Sequence, residues 1–367
     1  MERTGTAEMP LHSGKAPSWL FSRMKKLASP IAKLIIEDYG RREFLKRISD
    51  PYWFQAFGCL LGFDWHSSGL TTTVCGALKE ALSIEQHGVA ALGGKGRTSR
   101  KTPKEIANLA EELNFNEKKT NELIKTSRLV AKIDSSCVQD SYQLYHHSFF
   151  ITEEGRWAVV QQGMNSSYAR RYHWINTKQD GFFNDPHNGI ISQRLSRDVL
   201  NLASKSSSET RQVSLDIIKD NPEKLKNYLY KQTTLLNFSK KKLSMPRHHK
   251  LTEEELPQSV IQALKKAYQL QPENYEELVL LKGIGAKSLR ALALISETIY
   301  GTKASWKDPA KYAWAHGGKD GWPYPVDKPT YDSSIKFLKE IVEATEIEKK
   351  EKKSALRRLN KLNALIN

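Results

Sequence analysis

From Ser18 to about Arg47, the apolar residues Trp19, Leu20, Met24, Leu27, Ile31, Leu34 and Ile35 recur at steps of three and four, the period of an amphipathic helix. Pro30 lies within this pattern, and an internal proline removes a donor and crowds the preceding turn, so the spacing predicts a helix pair interrupted there. The next stretch, Phe54 to Leu82, is apolar and punctuated by glycine. It predicts short buried strands over Phe57–Phe63 and Leu70–Cys75 and a helix starting at Gly76, although helix and strand are confusable in apolar runs this short. Thr102-Pro103-Lys104-Glu105 has the order of an N-cap, a first-turn proline and the acid of a capping box, predicting a helix from Pro103 to Leu113. The clearest strand signal is Ser148 to Met164, where Phe149 to Thr152 and Trp157 to Gln162 flank Glu153-Glu154-Gly155-Arg156 as a β-hairpin.

Beyond residue 203 the pattern changes. Ser204 to Ser208, Lys240 to Lys242 and Pro246 to Lys250 have linker composition. Three helical faces follow: Val260, Leu264 and Tyr268; Tyr275, Leu278 and Leu281; and Leu289, Leu292, Ile295 and Ile299. Lys349 to Asn367 sets Leu356, Leu359, Leu362 and Leu365 among Lys and Arg, as in a basic amphipathic helix. The expected fold is α+β. A mixed α/β domain (1–203) with a hairpin-containing sheet is followed by a basic linker (204–250), an all-helical domain (251–345) and a terminal basic helix (346–367).

Charge narrows the function. With 57 Lys+Arg against 41 Asp+Glu the chain carries +16, which favours an anionic partner, DNA first, contacted mainly through its phosphates. No apolar run is long enough to span a membrane, so no membrane partner is expected. The polar stretch Met1 to Pro17 lacks a signal-peptide core, which predicts a cytoplasmic location. Cys59, Cys75 and Cys137 form no short CxxC pair and are expected as reduced thiols.

The candidate DNA contact is Leu281-Lys282-Gly283-Ile284-Gly285-Ala286-Lys287. A helix ends at Leu281, two glycines make a tight turn that lets a phosphate approach, Ile284 plugs between the helices, and a second helix starts near Ala286. Amides at a helix start have no intrahelical partners and sit at the positive end of its dipole, so they suit a phosphate oxygen without reading bases. The bland alternative is an ordinary helical hairpin in which the glycines only cap the first helix.

This segment resembles the hairpin of the helix-hairpin-helix DNA glycosylase superfamily. The resemblance covers about Tyr275 to Asp332 and implies a catalytic lysine at Lys287 and an essential aspartate at Asp327, in Pro325-Val326-Asp327. Lys287 would attack the sugar C1′ as a neutral amine to form a Schiff base, and Asp327 would offset the positive charge developing on the sugar, with no cofactor. Two features depart from that family: the 40-residue separation of Lys287 and Asp327 is longer than usual, and Lys328-Pro329 follows the aspartate. Asp308 to Trp322 looks like an insertion. Trp306, Tyr312, Trp314, Trp322 and Tyr324 around it are candidates to receive a displaced base, or core and loop aromatics.

Over its whole length the chain also resembles an uncharacterised archaeal and bacterial family, the domain of unknown function 763. The resemblance rests on Phe57-Gly58-Cys59, Phe63-Asp64-Trp65-His66-Ser67-Ser68-Gly69, Gly94-Lys95-Gly96, Tyr145-His146-His147, Val159-Val160-Gln161-Gln162-Gly163-Met164 and Ala315-His316-Gly317-Gly318-Lys319. It implies one architecture and no established reaction.

Two further groups complete the candidates. Lys95, Arg97, Arg100 and Lys101 in a glycine-rich loop, and Arg170 and Arg171 beside Tyr172 and Trp174, are candidate backbone contacts, or a solvated loop and a half-exposed strand. Asp64 and His66, on one side of a strand, with His146 and His147 and nearby Asp134, Asp140 and His173, offer an alternative: a nuclease using a divalent metal. No tight metal motif accompanies them, and a non-enzymatic DNA-binding protein is the third reading.

Overall fold

The computed structural model describes residues 16–63, 68–176, 181–192, 195–220, 258–310 and 328–364. At its centre lies a five-stranded antiparallel sheet in the order β1-β3-β4-β5-β6: β1 (Val89–Lys95), β3 (Gln143–Thr152), β4 (Trp157–Met164), β5 (Ala169–Ile175) and β6 (Gly189–Ser192). The fold is α+β. The expected hairpin is β3 and β4, with Ile151 opposite Trp157 and Gly155 at φ +74° in the turn. Short strands β2 (Val138–Gln139) and β7 (Leu200–Asn201) pair separately.

Alternation along the strands divides the sheet between two cores. Phe149, Ile151, Val159, Tyr172 and Trp174 join one cluster, with residues of α7 (Glu117–Lys132), α8 (Ser208–Lys219), α9 (Gln258–Leu270), α10 (Tyr275–Leu280) and α11 (Ala286–Tyr300). Phe150, Ala158, Val160 and Ile175 join the other, with α1 (Ser18–Tyr39), α2 (Arg41–Ser49), α3 (Pro51–Leu60), α4 (Gly69–Ala81), α12 (Lys328–Ala344) and α13 (Lys349–Ala364). The remaining helices are α5 (Ile84–His87) and α6 (Thr102–Glu112). Each cluster therefore joins residues from before position 203 with residues from beyond 251.

Several local expectations are corrected. Helix α1 runs through Pro30, and the break comes at Gly40, φ +85°. Met24, Leu27, Ile31 and Ile35 are buried along one face, and that packing offsets a proline cost of about 3 kcal/mol. The two expected strands are helices α3 and α4. The decisive signal was Asp50-Pro51: the Asp50 carboxylate accepts from the amides of Tyr52 (2.7 Å) and Trp53 (3.1 Å), with Pro51 in the first turn. Every residue of α3 is buried, so it has no polar face to betray a helical period.

Helix α6 stands where expected, but its capping box does not form. Thr102 Oγ1 donates to the Ser99 carbonyl (2.8 Å), and Glu105 instead takes Lys79 and the Gly93 amide. Ser204 to Ser208 is not a linker: Ser204 accepts from the Ser206 amide, Ser207 is buried, and α8 begins at Ser208. The lysine and histidine runs of 240–250 lie outside the described residues.

Candidate functional site

The turn after α10 is built from both sides. Asn274 caps α10 by accepting from the Glu277 amide (3.0 Å), and the Leu281 amide reaches back to the Glu277 and Leu278 carbonyls. Gly283 takes φ +96°, a conformation that disfavours side chains, and a Cβ there would sit 3.3 Å from that of Ala263. Gly285 differs: at φ −152° its backbone is extended, and a Cβ would meet nothing within 4 Å. Its missing side chain leaves open space at the start of α11, where no side chain caps the helix amides.

Ile284 is buried as a plug between the helices. Its carbonyl accepts from Lys132 Nζ at the end of α7 (2.6 Å), and the Ala286 carbonyl accepts from Gln139 Nε2 (2.8 Å). Burial lowers the Lys132 pKa. Lys125 on α7 also pairs with Glu276 on α10 at 3.2 Å. This clamp leaves Lys282 and Gly283 exposed and Lys287 half-buried. Asp327 lies outside the described residues, as do Tyr312, Trp314, Trp322 and Tyr324. Trp306 donates to Glu297 (3.0 Å), lies under the Arg290 guanidinium and packs on the core.

The basic loop is an ordered 3-10 turn, Gly96–Lys101, at the end of β1. Gly93, φ +81°, passes so close to β3 that a Cβ would collide with the His147 carbonyl. Glu105 holds the Gly93 amide (2.6 Å), and Ser99 Oγ donates to the Gly96 carbonyl (2.6 Å). Lys95, Arg97, Arg100 and Lys101 all remain exposed and form no ion pair among the described residues. Helices α6 and α7 pack together through the short connection 113–116. The start of α6, with its basic turn, and the end of α7, with Lys132 and the Gly283 turn, therefore lie towards the same end of the α6–α7 pair.

Segments far apart in the chain also meet there. Lys95 is opposite His146 and Gly94 opposite His147, while His146 and His147 pair with Gln162 and Gln161. Gln162 Nε2 donates to the Ser68 carbonyl (2.8 Å) and to Tyr145 Oη, joining Ser68 to the sheet. A family model described as a protein of unknown function, DUF763, matches residues 5–326. The chain belongs to the DUF763 family. No curated protein and no solved structure matches it. In this DUF763 chain, three of the segments that carry the family resemblance form adjacent strands, and a fourth touches them; Asp64, His66 and 315–319 lie outside the described residues.

Two sets of candidates are corrected. Arg170 and Arg171 are fully buried, because β5 is flanked by β4 and β6 and covered on both faces. Arg170 bridges Asp140 (2.9 Å) and Asp308 (2.7 Å), while Tyr172 Oη donates to Asp140 (2.6 Å) and the Ser196 amide to Asp308 (2.6 Å). The two carboxylates hold the Arg170 pKa well above normal despite burial. Arg171 points to the other face and donates to Gln55 (2.9 Å), His173 (2.9 Å) and Thr71 (3.3 Å). Burial pushes its pKa down to about 9.

His146 and His147 cannot ligate one ion together, since neighbouring strand residues point to opposite faces. His147 contacts Ser127 (3.0 Å) and Gln161 (2.7 Å); His146 contacts Ser148 (3.0 Å) on the other side. Burial pushes the His146 pKa down to about 3 and also lowers that of His147. Asp134, on the His147 side, accepts from Gln161, Trp174 (2.9 Å) and His187 (2.5 Å). No cluster of three or more metal-ligating His, Cys, Asp or Glu side chains occurs among the described residues. Lys132, Gln139, His187 and Asp308 carry no signal in the sequence: the partners that place them, Ile284, Ala286, Asp134 and Arg170, stand 53 to 152 residues away, and none sits in a motif.

Proposed function

We propose that this chain binds the phosphate backbone of DNA at the end of the α6–α7 pair towards which the Lys282–Gly285 turn and the Lys95–Lys101 turn both lie. The observation that carries the reading is the clamp of Lys132 on the Ile284 carbonyl. It holds a turn in which Lys282 and Gly283 are exposed, the amides at the start of α11 have no side-chain cap, and Gly285 leaves the space beside them open, while a second basic turn stands unpaired at the start of α6. An anion at a helix start gains from free amide donors and from the helix dipole, and neighbouring lysines and arginines add the sequence-independent attraction of counterion release. Repair or processing of DNA is the setting this chemistry suits. The lyase form of the reading requires Lys287 to attack the sugar and Asp327 to reach the same nucleotide.

Gly285→Val tests the contact with little confounding of the fold. Extended backbone accepts valine, and the space around Gly285 is open, so stability should hold while the side chain blocks a phosphate from the amides. The expected result is a loss of affinity common to unrelated duplex sequences, read by fluorescence anisotropy at several salt concentrations. Unchanged affinity with the fold intact would remove the turn as a contact. Borohydride trapping on an abasic duplex reads the lyase form separately, and an adduct that persists in Lys287→Gln would assign the amine elsewhere.

A further inference from the structure

Helix α13 carries Lys349, Lys352, Lys353, Leu356, Arg357, Asn360 and Lys361 on one open surface. Lys349, Lys353, Arg357 and Lys361 recur every four residues. At 1.5 Å per residue this places four cations about 6 Å apart along a line of about 18 Å, drifting about 40° at each step. All four are exposed, and none forms an ion pair among the described residues. On the same face of the sheet, by contrast, Lys25 pairs with Glu80, Lys33 with Glu37, and Arg47 with Glu43. Lys352 is turned back to the Glu343 carbonyl.

The placement works against the helix itself. Lys349, Lys350, Lys352 and Lys353 outnumber the single first-turn acid, Glu351, at the start of α13, where the dipole already presents positive charge and cations are unfavourable. A bound anion reverses that cost. Among the described residues the apolar side is occupied: Ala355 and Leu359 are buried in the core, with Leu356 packed against it. A membrane-surface helix needs that side free to enter the lipid, whereas a rigid linear polyanion needs only the charged line.

We infer that the exposed face of α13 is a second DNA-binding surface, an electrostatic track for the phosphates of duplex DNA. It belongs to the helical layer opposite the one that carries the Gly283 turn, and it stands whether or not that turn contacts DNA.

The test is a full-length variant with Lys349→Gln, Lys353→Gln, Arg357→Gln and Lys361→Gln, compared with the charge-preserving variant that replaces the three lysines by arginine. Both are titrated against two unrelated duplexes and against vesicles of 20% phosphatidylserine from 50 to 250 mM salt, with folding checked by circular dichroism. Four lost phosphate contacts should flatten the log-affinity against log-salt slope by about 3 to 4 units on both duplexes, with the charge-preserving variant matching wild type. An unchanged slope, a loss on one duplex only, a loss also in the charge-preserving variant, or a loss confined to vesicles of 20% phosphatidylserine would overturn the inference. Gly285→Val in the same titrations keeps the two surfaces apart. If only Gly285→Val loses affinity, the α13 surface fails and the turn stands; if only the glutamine variant does, the reverse holds.

Discussion

Arg170-Arg171 and the run from Lys95 to Lys101 look alike along the chain, each a knot of cations beside residues suited to meeting DNA, yet they end in opposite places. The first is fully buried, and the second is exposed on a braced turn. What separates them is position in the sheet. Arg170 and Arg171 sit in β5, an interior strand with helices over both faces, whereas Lys95 closes the edge strand β1 just as the chain leaves it. A basic residue is a candidate for an external anion only when the fold does not already supply its partner. Asp140 and Asp308 occupy that role for Arg170, and neutral groups do so for Arg171.

The sharpest way to break this comparison is to remove a buried charge. Arg170→Met should cost about 3–5 kcal/mol, because Asp140 and Asp308 would remain inside without their counter-ion. Arg171→Met leaves only Gln55, Thr71 and His173 short of a donor and should cost less, about 1–3 kcal/mol. Urea unfolding measures both, and a reversed order would undo the assignment of carboxylates to Arg170 alone.

How legible these outcomes were follows from the range of each signal. The β3–β4 hairpin, α6 and the helices flanking Gly283 depend on residues within a few positions of one another, and the sequence shows them directly. Helix α3 shows no helical period because it is buried all round, and its one helical signal is the Asp50-Pro51 start. The burial of Arg170 was not legible at all: Asp140 and Asp308 lie 30 and 138 residues away, and nothing local distinguishes an interior strand from an edge. The Gly283 turn was legible, but its anchor Lys132, 152 residues from Ile284, was not.

Titration sharpens the comparison from the inside. His146, His147 and His173 are buried, and burial holds their pKa values below normal, that of His146 at about 3. Between pH 6.5 and 3 the unfolded chain therefore binds protons that the folded chain refuses, so stability falls as the pH falls. The His146 contribution approaches about 1.4 kcal/mol per pH unit within that window. Asp140, raised chiefly by burial, acts in the opposite sense in the carboxylate range, so the useful quantity is the difference between wild type and His146→Gln. The wild type should lose stability more steeply from pH 6.5 to 4.5; parallel profiles would mean that His146 takes up its proton when folded.

A smaller effect is expected at the exposed turn. Gly283→Val forces a β-branched side chain into φ +96° and towards Ala263, at a cost of about 1–3 kcal/mol. Gly285→Val, in extended backbone and open space, should stay near wild-type stability. Thermal unfolding of the two variants distinguishes a glycine kept for conformation from one that keeps space open. Equal destabilisation would remove that distinction.

The smallest structural effect belongs to the other half of the comparison. Lys95, Arg97, Arg100 and Lys101 are exposed and form no ion pair among the described residues, and the turn beneath them is held by Ser99, Thr102 and Glu105 rather than by the cations. Changing all four to Gln gives up the Lys95 contact over the Tyr145 ring and little else, so unfolding should move by no more than about 0.5 kcal/mol. Binding should respond in inverse proportion. If each cation meets one phosphate, the salt slope on duplex DNA flattens by about 3 to 4 units, equally on unrelated sequences, because the contacts read charge and not bases. A variant as stable as wild type with an unaltered slope would mean that exposure alone does not make this turn a DNA contact. A variant as damaged as Arg170→Met would mean that the turn, like β5, uses its charges to hold the fold.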